Sequence, residues 1–299
     1  MNTANIVEIF CIFDEFCKIF EPELKKHLID VPGKRHRNRP CRVSDAEIMT
    51  ILVLFHTSHF RDLKTFYLGY VCQHMRGDFP NRISYNRFVE RQTKVALHLM
   101  LFLNTCALGK CTGMSIVDST PIVSCHIKRM HMHKTMKGWA AKGKCTIGWF
   151  YGFKLHLIIN DKGEIIQWML TPGNVDDRDP LKNQFFTQIL FGKLFADRGY
   201  ISQSLFDMLF VEDIHLVTKI KSNMKNSLMN LYDKICLRKR AVIETVNDEL
   251  KNICSIEHTR HRSVDNFVVN LISAMIAYNL MPKKPQMNIE IIDRSRLIA

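Results

Sequence analysis

The sequence predicts an α/β fold, a mixed sheet flanked by helices, with an all-helical N-terminal domain in front of it. Three observations carry this. Up to about Asn104 the apolar residues recur at helical spacing. From Ser115 onward, strand-length apolar runs alternate with helical ones, and both a hairpin and a crossover are signalled. Between the two regions Gly109 and Gly113 bracket Lys110, Cys111 and Thr112, which ends the last helix of the first. The division is 1–108 and 109–299.

In the first part, 3–28 reads as a helix with Ile6, Ile9, Phe10, Phe13, Phe16 and Phe20 on one face. The basic stretch Pro32 to Pro40 cannot bury itself and is either a solvated loop or a phosphate contact. Ser44 and Glu47 have the spacing of a capping box. The helix behind them is apolar on nearly every side, which predicts the centre of the helical domain. A shorter helix spans Arg61 to Gln73. Another starts at Ser84 and runs to about Asn104, with Arg82, Arg87, Arg91 and Lys94 near its start. That basic face either enters a DNA groove or is simply solvated.

In the second part, Ser115 to Val117 reads as the end of a short buried strand. Asp118 stands at its mouth, and Pro121 is expected to stop the ladder. Trp149–Asn160 and Glu164–Leu170 form a hairpin about the turn Asn160 to Gly163. Asp179–Phe191 reads as a crossover helix. Lys193–Asp197 reads as a strand ending in another Asp. A helix at Ser204–Val211, a strand at His215–Ile220 and a helical block at Leu231–Ile253 follow. Ser263–Leu280 closes the chain as an apolar helix expected to pack on the sheet.

The 299 residues are 46% hydrophobic, enough for a full core, and carry a net charge of +13. A pI near 9.3 points to a polyanionic partner, nucleic acid first. Residues 1–108 are accordingly the expected DNA-binding domain. No acidic residue lies between Asp118 and Asp161. That span holds Lys128, Arg129, Lys134, Lys137, Lys142, Lys144 and Lys154 with Trp139 and Trp149 interleaved, a pattern suited to phosphate contact. His126, His131 and His133 lie in the same run without a thiol or carboxylate pattern, so a loop facing phosphate is expected rather than a metal site. The apolar runs are too short to span a bilayer, and Glu8, Asp14 and Glu15 argue against a signal peptide. Ten cysteines without a Cys-x-x-Cys pair read as reduced core residues of a cytoplasmic protein.

A carboxylate at the mouth of an apolar strand needs a positive partner. Asp118 and Asp197 both end strands. Glu244 lies in the helical block, with Arg240 four residues before it and Lys251 seven after, on one face. Three such carboxylates suit two divalent ions and in-line displacement at phosphorus.

The segments Ser115 to Pro121, Gly148 to His156, Leu170 to Asp177, Phe195 to Tyr200 and Arg240 to Asp248 resemble the DDE-type transposases of bacterial insertion sequences, the group numbered 982 in particular. The resemblance implies a ribonuclease-H-like catalytic domain over 109–299. It implies Mg²⁺-dependent cleavage and transfer of DNA strands, with Mn²⁺ as a substitute. It implies an assembly of two or more protomers on double-stranded DNA, holding the terminal inverted repeats and the target. The catalytic, metal-binding triad maps onto Asp118, Asp197 and Glu244. Arg240 and Lys251 fit a related signature, whose tyrosine position is Leu237 here. Two other functions remain open at this point: a transposase-derived DNA-binding protein with a decayed site, and a ribonuclease-H-like nuclease that only cuts.

Overall fold

The computed structural model describes residues 3–27, 41–146, 148–219, 229–257 and 261–288. The basic stretch 32–40 and Arg260 lie outside them.

Helix α1 (Thr3–His27) sets Phe13 and Phe16 against Phe102. Helix α2 (Asp45–Thr57) starts at the capping box: Glu47 N–H donates to Ser44 Oγ at 3.1 Å, and Ser44 N–H to the Glu47 carboxylate at 2.6 Å. From Ala46 to His56 every residue of α2 but Glu47 is buried. Short helix α3 (Leu63–Thr65), a π-helical turn (Phe66–Val71) and α4 (Cys72–His74) follow one another without a gap, capped by Asp62. Helix α5 (Tyr85–Lys94) is capped by Ser84, and α6 (Ala96–Phe102) leads into a π-helical turn at Leu103–Ala107. The basic start of α5 is partly used within the fold. Arg91 pairs with Asp45 at the start of α2, and Arg87 pairs with Glu90 at 2.9 Å.

Among the described residues the sheet has six strands: β1 (Met114–Cys125), β2 (Ala141–Cys145), β3 (Gly148–Asn160), β4 (Ile165–Pro172), β5 (Gly192–Ala196) and β6 (Ile214–Thr218). One edge of β3 pairs antiparallel with β1. Its other edge pairs first with β2 and then with β4, end to end. Strands β5 and β6 extend the sheet beyond β1 in parallel. An antiparallel half continued by parallel strands, with helices on both faces, is the ribonuclease-H-like arrangement.

Helices α7 (Gln184–Thr187) and α8 (Gln203–Val211) lie on one face, where Leu205 and Leu209 meet Val117, Ile158, Leu194 and Ala196. Helices α9 (Leu231–Lys239), α10 (Val242–Asn252) and α11 (Val264–Asn279) complete the chain. The opposite face, with Ile116, Leu155, Leu157, Ile159 and Phe195, joins the core of α10, α11 and the N-terminal helices. Among the described residues no helix is long and apolar enough to cross a membrane.

Four expectations are corrected. The ladder does not stop at Pro121, which pairs with Lys154. Strand β1 pairs with β5 only over Met114–Ile116, so one edge of β1 is open beyond that point. The Pro121 carbonyl faces that edge, accepting from Lys251 Nζ at 2.9 Å. The ring nitrogen of the same residue points the same way, where no ladder bond is lost. The crossover Asp179–Phe191 is a 3₁₀ turn (Pro180–Lys182) and the single turn of α7, because Asn183 leaves the helix and caps Phe185 instead. The block 231–253 is two helices, broken at Arg240 and Ala241. Lys142 and Lys144, read as part of a loop, lie on β2.

Helix α11, expected on the sheet, has the sheet on only one side. There Phe267 stacks on Phe153 with centroids 5.0 Å apart, and Tyr278 OH donates to Gly163 O at 2.7 Å. Its other sides meet α2, α5 and α6, so eleven of its residues are buried. The reason is compositional: Phe267 to Tyr278 holds no charged residue.

Because α11 belongs to both packing layers, Ile272→Ala, at a fully buried position, should cost about 2–5 kcal/mol. Urea unfolding followed by tryptophan fluorescence and by circular dichroism should still show one coincident transition. Two separated transitions would show that the layers fold independently.

Candidate active site

The positions of Asp118 and Asp197 follow from one short register. Gly113 and Gly192 both have positive φ, +85° and +79°, and a Cβ on Gly192 would stand 2.4 Å from the Gly113 carbonyl oxygen. This close approach lets Lys193 N–H donate to Gly113 O at 2.9 Å and starts β1 and β5 side by side. Ile116 then pairs with Phe195 in parallel. Two residues further on each chain come Asp118 and Asp197, at the same height and on the face of Ile116 and Phe195, toward α10. There β5 ends while β1 continues, which opens a mouth between them.

From α10, Asn247 Nδ2 donates to Asp118 Oδ2 at 3.4 Å. Arg240, only 13% exposed, stands in the break between α9 and α10. Its guanidinium lies 3.6 Å from both the Asp197 and the Glu244 carboxylate. The helix break aims the arginine between the two. Asp197 and Glu244 are 54% and 63% exposed, so these contacts are weak and screened. Asp118 is the more enclosed group. Burial pushes its pKa up to about 6, against the pull of Arg240 and of the Ser119 backbone N–H, and the neighbouring Glu244 and Asp197 charges push the same way as burial.

Asp197 and Glu244 thus share one arginine, whose charge also acts on Asp118. Among the described residues the one group of three metal-ligand side chains within 4.8 Å is elsewhere: Glu21, Asp45 and His98.

Lys251 has partners of its own. It lies on the Glu244 side of α10 but a turn beyond Asn247. Its ammonium is held by the Pro121 carbonyl and by Glu257 at 3.3 Å, away from the carboxylates. It fastens α10 to the open edge of β1, where Glu257 also accepts from Val123 N–H at 3.4 Å.

Lys128 and Arg129 stand on a 3₁₀ turn (Ile127–Met132), and with Lys134 and Lys137 they are exposed. Lys142 and Lys144 project from one face of β2 with their ammonium groups 4.3 and 5.8 Å from the exposed Trp149 ring. No metal-ligand group among the described residues includes His126, His131 or His133.

A second polar group on the far side of β1 was not read as functional. Ser119 donates to Asp177 at 2.8 Å, and Lys154 donates to the same oxygen at 2.9 Å and to Val175 O at 2.8 Å. His156 bonds Thr171 Oγ1 at 2.8 Å, and burial lowers its pKa to about 4, so the ring is neutral. The Tyr200 hydroxyl is buried beside Ser119. Its pKa is raised well above the usual range, by burial first and then by Asp118 and Asp177. The group pins the residue next to Asp118. Its signal in the sequence is a lysine inside an apolar strand, Lys154, and the doubled Asp176 and Asp177 just after a turn.

Residues 108–264 match the family described as Transposase DDE domain. No curated protein sequence matches the chain. Among solved structures, the chain is similar to a piggyBac transposase in a synaptic complex with hairpin DNA, at 12% identity over 94% of this chain and 77% of that one, with a TM-score of 0.48. It is also similar to the Mos1 transposase of a strand transfer complex, at 12% identity over 88% and 83% of the two chains, with a TM-score of 0.24.

The raised pKa of Asp118 makes stability depend on pH. A carboxyl with a raised pKa favours the folded state while protonated. Its contribution is fully present below about pH 4 and is lost as pH rises through the folded value of about 6. In the presence of chelator, the wild type should lose on the order of 2 kcal/mol over that window relative to Asp118→Asn. Urea denaturation of both proteins across that range measures it, and parallel curves would refute it.

Proposed function

Because the chain belongs to the transposase DDE domain family, we propose that it cuts DNA at the ends of a mobile element and joins those ends to target DNA. On this reading it is an enzyme of the bacterial insertion-sequence type, of the group numbered 982, working in the cytoplasm on nucleoid DNA. The observation that supports this best is the parallel register of Ile116 with Phe195, which brings Asp118 level with Asp197, together with Arg240 at 3.6 Å from both Asp197 and Glu244.

The donor set fits hard divalent cations, Mg²⁺ or Mn²⁺: three carboxylates, oxygen donors throughout, answered by a single arginine. Asp118, Asp197 and Glu244 would hold them. Bound there, such ions supply Lewis acidity to the phosphoryl group and lower the pKa of the attacking water or hydroxyl. The chain's own residues do the rest. Asn247 fixes one oxygen of Asp118. Arg240 offers a planar guanidinium to a phosphate at the mouth, suited to a two-pronged grip. The Asp177 group holds Ser119, and so the backbone at Asp118, from behind. Lys128, Arg129, Lys134, Lys137, Lys142 and Lys144 meet flanking phosphates, and Trp149 gives a base or sugar a flat face beside Lys142. The helical part, 1–108, binds DNA as well, and two or more protomers hold the paired ends.

Asp118→Asn should abolish strand cleavage on a DNA substrate in Mg²⁺ or Mn²⁺ while leaving DNA binding intact. Full cleavage by this variant would sink the assignment.

Replacing Lys142 and Lys144 with Gln should flatten the plot of log affinity against log salt by roughly 2 units, the loss of two phosphate contacts. An unchanged slope from fluorescence anisotropy would return this strand to a merely solvated surface.

A further inference from the structure

We propose that the cleft between α3, the start of α5 and the start of α11 takes one unpaired nucleotide of a DNA strand, phosphate at the rim and base on the floor. This rests on the transposase reading and adds a second DNA site to it. The cleft has a volume of about 980 Å³. Arg61, Lys64 and Arg262 line it and are exposed. The one acid there, Asp62, has a carboxylate oxygen engaged by Thr65 N–H. Two helices begin at the cleft, α5 at Ser84 and α11 at Ser263, so their free N–H groups and positive dipole ends add to the field. Such a rim selects an anion.

The floor selects more than charge. Gln92 and Asn270 are only 4% and 6% exposed and line the cleft. Gln92 Oε1, Asn270 Nδ2 and Asn266 Oδ1 are buried with no hydrogen-bond partner. Unpartnered buried amides destabilise a fold, and three around one cleft are hard to account for by packing. Together they present two acceptors and a donor. A nucleobase edge carries amino hydrogens beside ring nitrogens and meets that set. Tyr85 lines the same cleft and offers a ring for stacking. A paired base cannot present its Watson–Crick edge to residues so deep, because its partner base occupies that edge. The occupant is therefore unpaired.

Position agrees with this. A second cavity, of about 590 Å³, runs along Ile122–His126 on β1 and reaches Glu257. His261 lines both cavities. A strand leaving Asp118 along the open edge of β1 is led past His261 to the cleft.

The test uses the full chain and two fluorescent probes, a blunt DNA duplex and the same duplex with a single-stranded tail of about four nucleotides. The tail should tighten binding by about tenfold in the wild type, the order expected for one stacked and bonded base. Gln92→Leu with Asn270→Leu should remove that advantage, keep blunt-duplex affinity, and melt no lower than wild type. Arg262→Gln, at an exposed position where misfolding is not a concern, should reduce the advantage as well. A wild type that binds blunt and tailed duplex equally would overturn this proposal and leave the transposase reading standing. Variants that lose affinity for both probes alike would overturn it too. A wild type that binds neither probe would instead count against the transposase reading itself.

Discussion

Two helices without a polar face, α2 and α11, are satisfied only when they are surrounded, and most of the architecture answers that requirement. Helix α11 presents one side to α2, α5 and α6 and another to the sheet, through Phe267 on Phe153 and Tyr278 on Gly163. Burying both helices removes far more apolar surface from water than either layer could alone. It also decides where α10 lies. Packed beside α11 and over β1, α10 brings Asn247 to Asp118, while the break before it sets Arg240 between Asp197 and Glu244. The hydrophobic requirement of one helix thereby fixes the polar geometry of another.

The second organising force is electrostatic. Asp118 is enclosed enough that burial dominates its ionisation, whereas Asp197 and Glu244 stand exposed to solvent. One buried and two open carboxylates around one arginine make a site whose negative charge is only partly answered from within. The acid-free span after Asp118 has the opposite sign. Lys128, Arg129, Lys142 and Lys144 of that span stand exposed on a turn and on β2. Lys251 and Lys154 show the contrast: each is partly buried, and each is consumed by a carboxylate and a backbone carbonyl.

Buried polar atoms left without partners mark a third theme. Some enclosed polar groups are satisfied, as in the chain from Ser119 through Asp177 to Lys154. The exceptions are spread over the fold, from Arg91 and His98 to Asn247 and Ser273, and three of them, on Gln92, Asn266 and Asn270, belong to residues that line one cleft. Groups of this kind cost stability, so three amides around one cleft stand apart from ordinary packing.

By itself the sequence determined what rests on local rules. The capping box at Ser44, the hairpin turn at Asn160–Gly163 and the strands on either side of it needed only neighbours in the chain. So did the division between helical and α/β regions. Asp197 was legible because it ends an apolar strand, Asp118 because it follows an apolar run, although its strand continues to Cys125, and the basic run because it lacks acids. Other features were decided only by tertiary structure. Pro121 stays in its strand because β5 stops pairing three residues into β1, which no local pattern announces. Lys251 shares a helix face with Glu244, yet that face runs along β1, so one turn more takes it to Glu257 instead. Asn247, Asp177 and Tyr200 gain their roles from partners roughly 60 to 130 residues away in the chain, or from burial alone. Helical and strand periods tell which side of an element is apolar. What that side meets depends on how the whole chain closes around α11.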